Sequence, residues 1–347
     1  MTAIALDGVS KHFGTSIALD DVSLAVPEGA FLALLGPSGC GKTTILRLIA
    51  GFEAPTRGVV RFGARTVATA EAQVPPEERQ VAMVFQSYAL WPHMTVAENV
   101  AYPLATARRP KSEVAGRVAE ALHVVGLAGY GERRPEALSG GQRQRVALAR
   151  ALVQEAPLVL CDEPLANLDV HLRAAMLASF RRLHRDTGRT FVYVTHDQAE
   201  ALALATHIAV LDGGRLAQLG APQAIYAAPA TEAVARFVGE GRILDAVTRS
   251  PVEAGRLPVR LAGAELMVRA PAGTRPGAVK LLVRPENVML GGPLAAVVRG
   301  ATYRGPAWAV EATLHDGQSL MLALPAAPRE GDRLDLAVTD AWVVPAI

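Results

Sequence analysis

The chain has 347 residues, enough for about two domains, and half of its residues are hydrophobic while 20% are charged. This composition lies outside the polar, highly charged range of disordered chains, so the protein is expected to fold. Thirty-five basic and thirty-three acidic side chains give a net charge of +2. That balance excludes the large basic field typical of nucleic-acid binding.

Cysteine use and hydropathy indicate the compartment. The two cysteines, Cys40 and Cys161, lie far apart, and the N-terminus lacks the basic, apolar and small-residue order of a secretory signal. The most apolar stretches, such as residues 201–211, reach only about half of the ~20 residues that a spanning helix needs. We therefore expect a cytoplasmic protein that does not cross a bilayer by itself.

Short strands that end at turn residues alternate with helices over the first two thirds of the chain. The predicted strands cover 31–35, 81–85, 158–161 and 190–194 and are continuously apolar. This alternation predicts an α/β fold, with a mostly parallel sheet covered by helices on both faces. Three helix starts carry a capping box, in which Ser or Thr is followed three residues later by Glu or Gln. They are Thr95 with Glu98, Ser139 with Gln142, and Thr195 with Gln198.

The pattern changes near Gly239. Beyond it, short alternating strands such as 281–284, 309–314 and 334–338 are separated by proline and glycine, which is typical of a small all-β domain or barrel. The predicted domains are residues 1–238, with a helical subdomain at about 87–157, and residues 239–347.

A glycine-rich loop joins the strand 31–35 to the amphipathic run 44–50. The loop fits the P-loop pattern in the strand-to-helix context that the pattern requires, and a plain glycine turn would not need Gly-Lys-Thr at its end. Its N–H groups and the helix start would attract phosphate oxygens. Lys42 would reach the β- and γ-phosphates, and the Thr43 hydroxyl would bind Mg²⁺. The candidate nucleotide-binding residues here are Gly36, Pro37, Ser38, Gly39, Cys40, Gly41, Lys42, Thr43 and Thr44.

Two adjacent carboxylates follow the strand 158–161. Asp162 would hold Mg²⁺ directly or through water, and Glu163 could polarise the attacking water. The P-loop upstream argues against two acids that merely cap a strand end. A GTPase is excluded, because none of the four lysines follows the Asn or Thr of the guanine motif. The His-Arg-Asp triplet at 184–186 lacks the other features of a protein kinase, so we treat it as chance.

The sequence Leu-Ser-Gly-Gly-Gln at 138–142 decides the class. It is followed by Arg-Gln-Arg-Val-Ala-Leu-Ala-Arg, and together with the P-loop it closely resembles the signature of the nucleotide-binding subunits of ATP-binding cassette (ABC) transporters. Ser139 and two glycines at a helix start would form a second anion site. A capping box alone leaves both glycines unexplained, since glycine costs about 1 kcal/mol relative to alanine within a helix.

The resemblance implies the P-loop NTPase fold of the ABC cassette and a dimer that hydrolyses ATP with Mg²⁺. In the family, two copies meet head to tail, so that the signature of one covers the γ-phosphate on the P-loop of the other. The signature residues implied in nucleotide binding are Ser139, Gly140, Gly141 and Gln142.

Other positions acquire roles only through the resemblance. Gln86 would contact Mg²⁺ and the attacking water, and His196 would contact the γ-phosphate. Phe13 stands where the family usually has a tyrosine against adenine, although a core phenylalanine is an equal alternative. Residues 166–169 resemble the loop that links the two active sites of the dimer. The implied catalytic residues are Glu163, His196, Gln86 and Lys42, and the implied Mg²⁺ ligands are Thr43, Gln86 and Asp162.

The resemblance also implies membrane partners. In importers of the family, the region of residues 86–95 forms a groove for a coupling helix of the permease, and this segment carries the apolar side chains Leu90, Trp91 and Met94. The alternative is that these side chains pack on the helical subdomain. The expected partners are a second copy, integral membrane permease subunits and, indirectly, a periplasmic or extracellular solute-binding protein, but no nucleic acid. The expected location is the inner face of the plasma membrane.

The cargo is the least determined property. Residues 282–288 are similar to a segment of the TOBE-like accessory domain of importers for sugars, polyamines, sulfate and ferric iron. The junction at 239–244 resembles ferric-iron members most, so the interpretation leans to ferric iron, with polyamine, sugar, sulfate or another small solute as alternatives. A soluble ABC ATPase that acts on DNA or ribosomes, and a non-catalytic regulatory module, remain as other classes.

Overall fold

The computed structural model describes residues 3–85, 87–166 and 168–345. Internal contacts divide the chain into two units between Pro222 and Gln223. The first unit carries all the motifs predicted for the nucleotide site, and the second consists mainly of β-strands.

A six-stranded sheet forms the centre of the first unit. In spatial order its strands are β10 (Arg215–Gly220), β9 (His207–Asp212), β3 (Phe31–Leu35), β8 (Thr190–Val194), β7 (Leu158–Asp162) and β6 (Val81–Val84). The strands from β9 to β6 pair in parallel, and β10 is antiparallel to β9. The carboxyl ends of the parallel strands therefore meet at one edge, where open α/β sheets bind ligands.

The helices of the first unit connect these strands. They are α1 (Lys42–Ala50), α2 (Val96–Thr106), α3 (Lys111–Val124), α4 (Gly140–Leu152), α5 (Val170–Thr187) and α6 (Gln198–Leu204), with short 3₁₀ turns at Pro76–Glu78 and Pro135–Ala137. Helices α2, α3 and α4 lie within the predicted helical subdomain.

Both faces of the parallel sheet are apolar, as the continuous apolar runs predict. Along β8, Phe191 and Tyr193 pack into the cluster that contains residues of α2 to α5. Val192 and Val194 face the opposite cluster, which contains residues of α1. Successive side chains of a strand point to opposite faces, so one run serves two cores.

A second, antiparallel sheet covers the α1 side. Its order is β2 (Ser16–Val26), β1 (Ile4–Phe13), β4 (Arg57–Phe62) and β5 (Arg65–Ala68). Ile4 and Leu19 of this sheet share a core with Ile45 of α1. The helix that follows the P-loop is thus buried between two sheets.

Two of the three predicted capping boxes are present. Thr95 with Glu98 begins α2, and Ser139 with Gln142 begins α4, each with both reciprocal hydrogen bonds. The predicted box of Thr195 with Gln198 is wrong, because α6 begins two residues later. Its N-cap is Asp197, whose carboxylate accepts hydrogen bonds from the N–H groups of residues 199 and 200.

The second unit combines a barrel with a four-stranded sheet. The barrel strands are β11 (Arg242–Thr248), β12 (Arg256–Leu261), β13 (Ala264–Arg269), β19 (Trp342–Val344) and β14 (Gly277–Val283). The sheet contains β17 (Ser319–Leu324), β16 (Trp308–Leu314), β15 (Val288–Tyr303) and β18 (Arg333–Val338). The helices are α7 (Pro222–Ala227) and α8 (Glu232–Phe237), with a 3₁₀ turn at Pro285–Asn287.

Alternating side chains of the barrel and the sheet share one apolar core. The division between the units falls before the predicted boundary at 238 and 239, so α8 belongs with the second unit. The reason is a small apolar contact, because Ala235 of α8 packs with Leu282 and Val344 of the barrel. Among the described residues, no helix combines the length and hydropathy needed to span a bilayer.

Candidate active site

The P-loop curls between β3 and α1 at the carboxyl edge of the parallel sheet. Gly41 is the N-cap of α1 in a left-handed conformation, with φ 102°, and a Cβ there would lie 2.7 Å from the carbonyl oxygen of Ala18. Gly39 also has a positive φ, of 81°, but a Cβ there would meet nothing within 4 Å. The loop therefore packs tightly at its base and is open at its tip, where Pro37, Ser38 and Gly39 are exposed.

The Lys42 ammonium lies inside the curve of this loop. It donates hydrogen bonds to the carbonyl oxygens of Gly36 at 2.7 Å and Pro37 at 2.8 Å, and the residue is 7% exposed. The Cys40 thiol lies 3.7 Å from the same ammonium, and burial raises the pKa of this thiol. Cys40 is thus a packing residue of the loop, while Lys42 places a positive charge where the loop would receive phosphate oxygens.

Thr43 and Asp162 form the second part of the site. The Thr43 hydroxyl lies 3.3 Å from Oδ1 of Asp162, at the end of β7. Burial, and secondarily the neighbouring carboxylate of Glu163, raise the pKa of Asp162, while its hydrogen bond with Thr43 acts in the opposite direction. A hydroxyl and a carboxylate oxygen are ligands that suit Mg²⁺.

These two side chains fit a magnesium ion only as part of a wider ligand set. Among the described residues, no group of three or more His, Cys, Asp or Glu side chains could enclose a metal. Mg²⁺ usually keeps several waters and takes one or two protein ligands beside substrate phosphates. The donor set of this edge is consistent with that pattern.

Glu163 and His196 meet beside the same edge. Oε2 of Glu163 lies 3.4 Å from Nδ1 of His196, and the two side chains are 23% and 63% exposed. Glu163 adopts a left-handed conformation with φ 46°, while its N–H donates to the Val194 carbonyl at 3.0 Å. Such a conformation is strained for a residue with a side chain, and strain of this kind is concentrated at functional sites.

A buried network behind His196 was not predicted. Oε2 of Glu200 accepts hydrogen bonds from Tyr193 at 2.9 Å and from Thr195 at 2.8 Å, and burial raises the pKa of Glu200. Arg173 of α5 pairs with Asp197 at 2.9 Å. The loop that carries His196 is therefore fixed on one side of it by the hydrogen bond of Thr195 to Glu200, and on the other by the ion pair of Asp197 with Arg173. The adjacent Thr, His and Asp at 195–197 were the available sequence signal for it.

The signature turn is built as a helix cap with one open position. The N–H of Ser139 donates to Oε1 of Gln142 at 2.9 Å, and the N–H of Gln142 donates to the Ser139 hydroxyl at 3.3 Å. A Cβ at Gly141 would lie 2.9 Å from a Leu168 methyl carbon, so close packing explains that glycine. At Gly140 the nearest atom would be the Tyr88 hydroxyl oxygen at 3.8 Å, so packing does not require a glycine there.

The structure brings together some predicted residues and not others. Lys42, Thr43, Asp162, Glu163 and His196 converge at one edge of the sheet. Within the described residues, the side chains of Ser139 and Gln142 hydrogen-bond to each other's backbone N–H groups rather than to the P-loop.

Phe13 and the remaining predicted positions lie apart from this group. Phe13 ends β1, is 46% exposed, and has the Lys11 ammonium 4.8 Å from its ring centroid. The predictions for Gln86 and for Asn167 of the linking loop lie outside the described residues. Within that loop, Asp169 caps α5 by accepting from the N–H of residue 172 at 2.9 Å.

A cleft of about 780 Å³ lies between the end of β6 and helices α2 and α4 of the first unit. Its walls include Phe85, Trp91 and Tyr102, and the ring centroids of Trp91 and Tyr102 lie 4.2 Å apart. Leu90 packs against the core of the helical subdomain. Leu90 of this segment is therefore packed inward, as the alternative predicts, whereas Trp91 lines an open cleft.

A P-loop and a carboxylate-ended strand at the carboxyl edge of a parallel sheet define the class of P-loop nucleoside triphosphatases. Comparison with known proteins narrows the class. The family model "ABC transporter" matches residues 19–166, and the model "TOBE domain" matches residues 281–344. The chain belongs to the ABC transporter family, as an ATP-hydrolysing subunit of the importer type with a C-terminal TOBE domain.

Curated relatives and solved structures agree with this assignment. The spermidine/putrescine import ATP-binding protein PotA of Nitratidesulfovibrio vulgaris is 46% identical over 330 residues, which cover 92% of this chain and 89% of the relative. PotA of Methylococcus capsulatus is 48% identical over 311 residues, or 88% and 80% of the two chains. A solved dimer of MJ0796, described as a bacterial ABC transporter cassette, is 33% identical with a TM-score of 0.58, and covers 63% of this chain and 98% of that one.

These findings confirm the predicted family and fold class. They do not support the preference for ferric iron, because the relatives are named for spermidine and putrescine. That preference came from a short junction at 239–244, whereas the relatives align over most of the chain. Polyamine import was one of the alternatives, and the names of the relatives favour it over the others.

Proposed function

We propose that this protein hydrolyses ATP to drive import of a polyamine of the spermidine and putrescine type through separate membrane subunits. The observation that carries the hydrolytic part is the convergence of Lys42, Thr43, Asp162, Glu163 and His196 at one sheet edge. The cargo is supported by relatives that are named for spermidine/putrescine import.

The triphosphate would bind in the P-loop. Backbone N–H groups of residues 38–41 would surround the phosphates, and Lys42 would neutralise charge on the β- and γ-phosphates. Thr43 and Asp162 would hold Mg²⁺, which supplies charge neutralisation between the same phosphates when bound. Support comes from the position of the Lys42 ammonium and from the 3.3 Å separation of the Thr43 hydroxyl and Asp162.

Glu163 would accept a proton from the attacking water as its oxygen bonds to the γ-phosphorus and the bond to the β-phosphate oxygen breaks. The products would be ADP and phosphate. His196, 3.4 Å from Glu163, would donate a hydrogen bond to the γ-phosphate and keep the glutamate oriented. Gln86 would contribute to Mg²⁺ and water positioning by its resemblance to the family residue.

A second copy would complete the site. The N–H groups at the start of α4, next to Gly140, would cover the γ-phosphate bound to the partner's P-loop, in a two-fold arrangement. The space that Gly140 leaves beside Ser139 supports an approach by phosphate. Phe13 would stack on adenine, which its exposed ring at the end of β1 permits.

The permease would dock at the cleft beside the site. Its aromatic walls suit an apolar segment of a membrane subunit, and α4 forms part of both the cleft and the signature turn. The chain would then act at the inner face of the plasma membrane, supplied by a solute-binding protein on the other side.

Uptake into proteoliposomes tests the whole proposal. The protein is reconstituted with its permease and binding-protein subunits, and labelled spermidine uptake is measured with ATP inside. We expect uptake and ATP hydrolysis that both need Mg²⁺, and loss of both in Glu163→Gln but not in the surface control Glu120→Gln. Uptake of ferric iron or a sugar without spermidine would contradict the cargo, and hydrolysis that survives Glu163→Gln would contradict the catalytic assignment.

A further inference from the structure

Two consecutive residues of the segment 88–91, which borders the cleft, adopt a backbone conformation that residues with a side chain disfavour. Tyr88 has φ 65° and Ala89 has φ 47°. Left-handed conformations are common for glycine, but for other residues they persist only where surrounding contacts enforce them. The structure must therefore contain groups that hold this pair in place.

Arg150, close to the C-terminal end of α4, makes the contacts that hold them. Its Nη1 donates to the Ala89 carbonyl at 2.6 Å, and its Nη2 donates to the Tyr88 carbonyl at 3.0 Å. Its guanidinium also lies over the Trp91 ring, 4.9 Å from the centroid. One arginine thus binds both strained residues and the aromatic wall of the cleft.

Arg150 is only 5% exposed. Burial lowers its pKa, and within the described residues it forms no salt bridge. A buried cation that is compensated by carbonyl groups and a ring costs stability, and apolar residues would pack the same space with less cost. The arrangement is therefore better explained by a positional task than by stability alone.

Asn99 of α2 fixes the other end of the segment. Its Oδ1 accepts from the Trp91 N–H at 2.9 Å, and its Nδ2 donates to the Trp91 carbonyl at 3.1 Å. The side chain of Asn99 is fully buried. Residues 88–91 are thus held by hydrogen bonds to both α2 and α4.

We propose that Arg150 is a positioning residue that holds Tyr88 and Ala89 in their left-handed conformation and so ties the cleft wall to the signature helix α4. The same helix begins at the Ser139 turn, and the chain reaches residue 88 two residues after Gln86. If α4 is displaced, Tyr88 and Ala89 are displaced with it, and so are the cleft wall and the segment that follows Gln86. The functional half of this inference rests on the proposed ATPase and permease roles.

A glycine substitution distinguishes the effect of Arg150 on the backbone of Ala89 from a general loss of stability. Glycine adopts a left-handed φ without strain, so Ala89→Gly supplies from the backbone what Arg150 supplies through hydrogen bonds. We expect Arg150→Lys to lower kcat by about tenfold to a hundredfold, because lysine cannot hold two carbonyls in a fork. The KM for ATP should stay within about threefold of the parent value.

The decisive variant is the double substitution. Ala89→Gly in the Arg150→Lys background should restore at least half of the lost kcat and of the lost melting temperature. The matched control is Arg145→Lys, since Arg145 of the same helix also binds two carbonyls, of Val125 and Gly126 at 3.2 Å each, but not this segment. Ala89→Gly should not rescue that control. Purely additive effects in both backgrounds would overturn the proposal.

Tryptophan fluorescence gives a readout that does not need hydrolysis. Trp308→Phe and Trp342→Phe leave Trp91 as the only tryptophan. Binding of the ATP analogue AMP-PNP with Mg²⁺ should change acrylamide quenching of Trp91 in this background, and Arg150→Lys should abolish the change while binding persists. An unchanged quenching response in Arg150→Lys would refute the proposal.

Two safeguards keep the test decisive. If Arg150→Lys does not fold, Ala89→Val tests the same contact, because a β-branched residue disfavours the left-handed φ that Arg150 stabilises. It should then lower kcat and weaken the quenching response, and a full response would count against the proposal. If the parent shows no ATPase activity, the proposed function fails, while the melting temperatures and the quenching experiment still test Arg150.

Discussion

The two units of the chain differ in what they bury. The first unit buries the charged side chains of Lys42, Arg79, Arg150, Asp162 and Glu200. Within the described part of the second unit, Arg284 is the only buried charged side chain. The second unit is otherwise held by alternating apolar side chains from its barrel and its sheet.

The difference shows where the protein accepts an energetic cost. A buried charge is expensive unless it is paired or used. In the first unit three of these five buried charges lie at or beside the nucleotide edge, whereas Arg79 and Arg150 bind backbone carbonyls elsewhere. Lys42 and Asp162 form this edge, Glu200 supports the loop of His196, and Arg79 donates to the carbonyls of Leu48 and Ile49 at the end of α1. Phosphate chemistry needs such groups, whereas a β core does not.

The largest expected effect follows from removing one of these charges. Lys42→Ala should lower the ATPase rate by about 10² to 10³, because loss of one charge-stabilising donor typically has that effect. Steady-state phosphate release measures it. The exposed residue Lys111, at the start of α3, is the control. Equal rates for Lys42→Ala and Lys111→Ala would mean that the P-loop lysine does not act on phosphate.

The second unit should respond to lost apolar contact instead. Leu322 of β17 is 1% exposed, and Leu322→Ala should destabilise this unit by about 2 to 5 kcal/mol. Denaturant titration followed by Trp308 and Trp342, which both lie in this unit, measures the change. Leu290→Ala, at a position 54% exposed in β15, should change stability by less than about 0.5 kcal/mol. Similar losses of stability at the two positions would show that apolar burial does not determine the stability of the second unit.

Backbone strain at Glu163 predicts a smaller change. Because φ is 46° there, Glu163→Gly should be more stable than Glu163→Ala by about 1 kcal/mol, although both should lose hydrolysis. Thermal unfolding of the two variants tests this order. At the exposed helical position 120 the order should reverse, since alanine is the better helix former. If alanine is also favoured at position 163, the left-handed turn is not strained.

The smallest effect concerns pH. Burial raises the pKa of Asp162, so the folded protein binds a proton that the unfolded chain has already released. The contribution of Asp162 to stability should therefore fall as pH rises from the ordinary aspartate range through the raised pKa, and stay lower above it. Asp162→Asn should remove this fall and be the more stable protein at neutral pH in buffer without nucleotide or Mg²⁺.

Thermal unfolding between pH 3 and pH 8 measures this difference. Asp186→Asn serves as the control, because Asp186 lies on the surface with its side chain 53% exposed. A parent protein that is more stable than Asp162→Asn at neutral pH would show that burial does not dominate at this carboxylate.

The sequence predicted the features that depend on local signals. The strands 31–35 and 190–194 have the predicted bounds, and the capping boxes at Thr95 and Ser139 are present. Apolar runs and helix caps involve residues within a few positions of each other. The convergence of the P-loop with Asp162 follows from a motif whose parts always meet at the same sheet edge.

Features that depend on distant contacts could not be predicted. Arg150 binds carbonyls that lie 61 and 62 positions away, and no local pattern announces such a contact. The left-handed turn at Glu163 requires its N–H to reach Val194 of a neighbouring strand. At α6 the Thr195 hydroxyl is occupied, since it donates to Glu200 and accepts from the Asp197 N–H, and the Asp197 carboxylate caps the helix instead.

We expect a second copy's signature turn to complete the site built around Lys42 and Asp162. A crystal structure of Glu163→Gln with ATP and Mg²⁺ tests it most directly. We expect a two-fold dimer in which the Ser139 hydroxyl of each copy donates a hydrogen bond, at about 3 Å, to the γ-phosphate held by Lys42 of the other. A nucleotide-filled site with its γ-phosphate open to solvent, and Ser139 remote from any phosphate in the dimer, would contradict it.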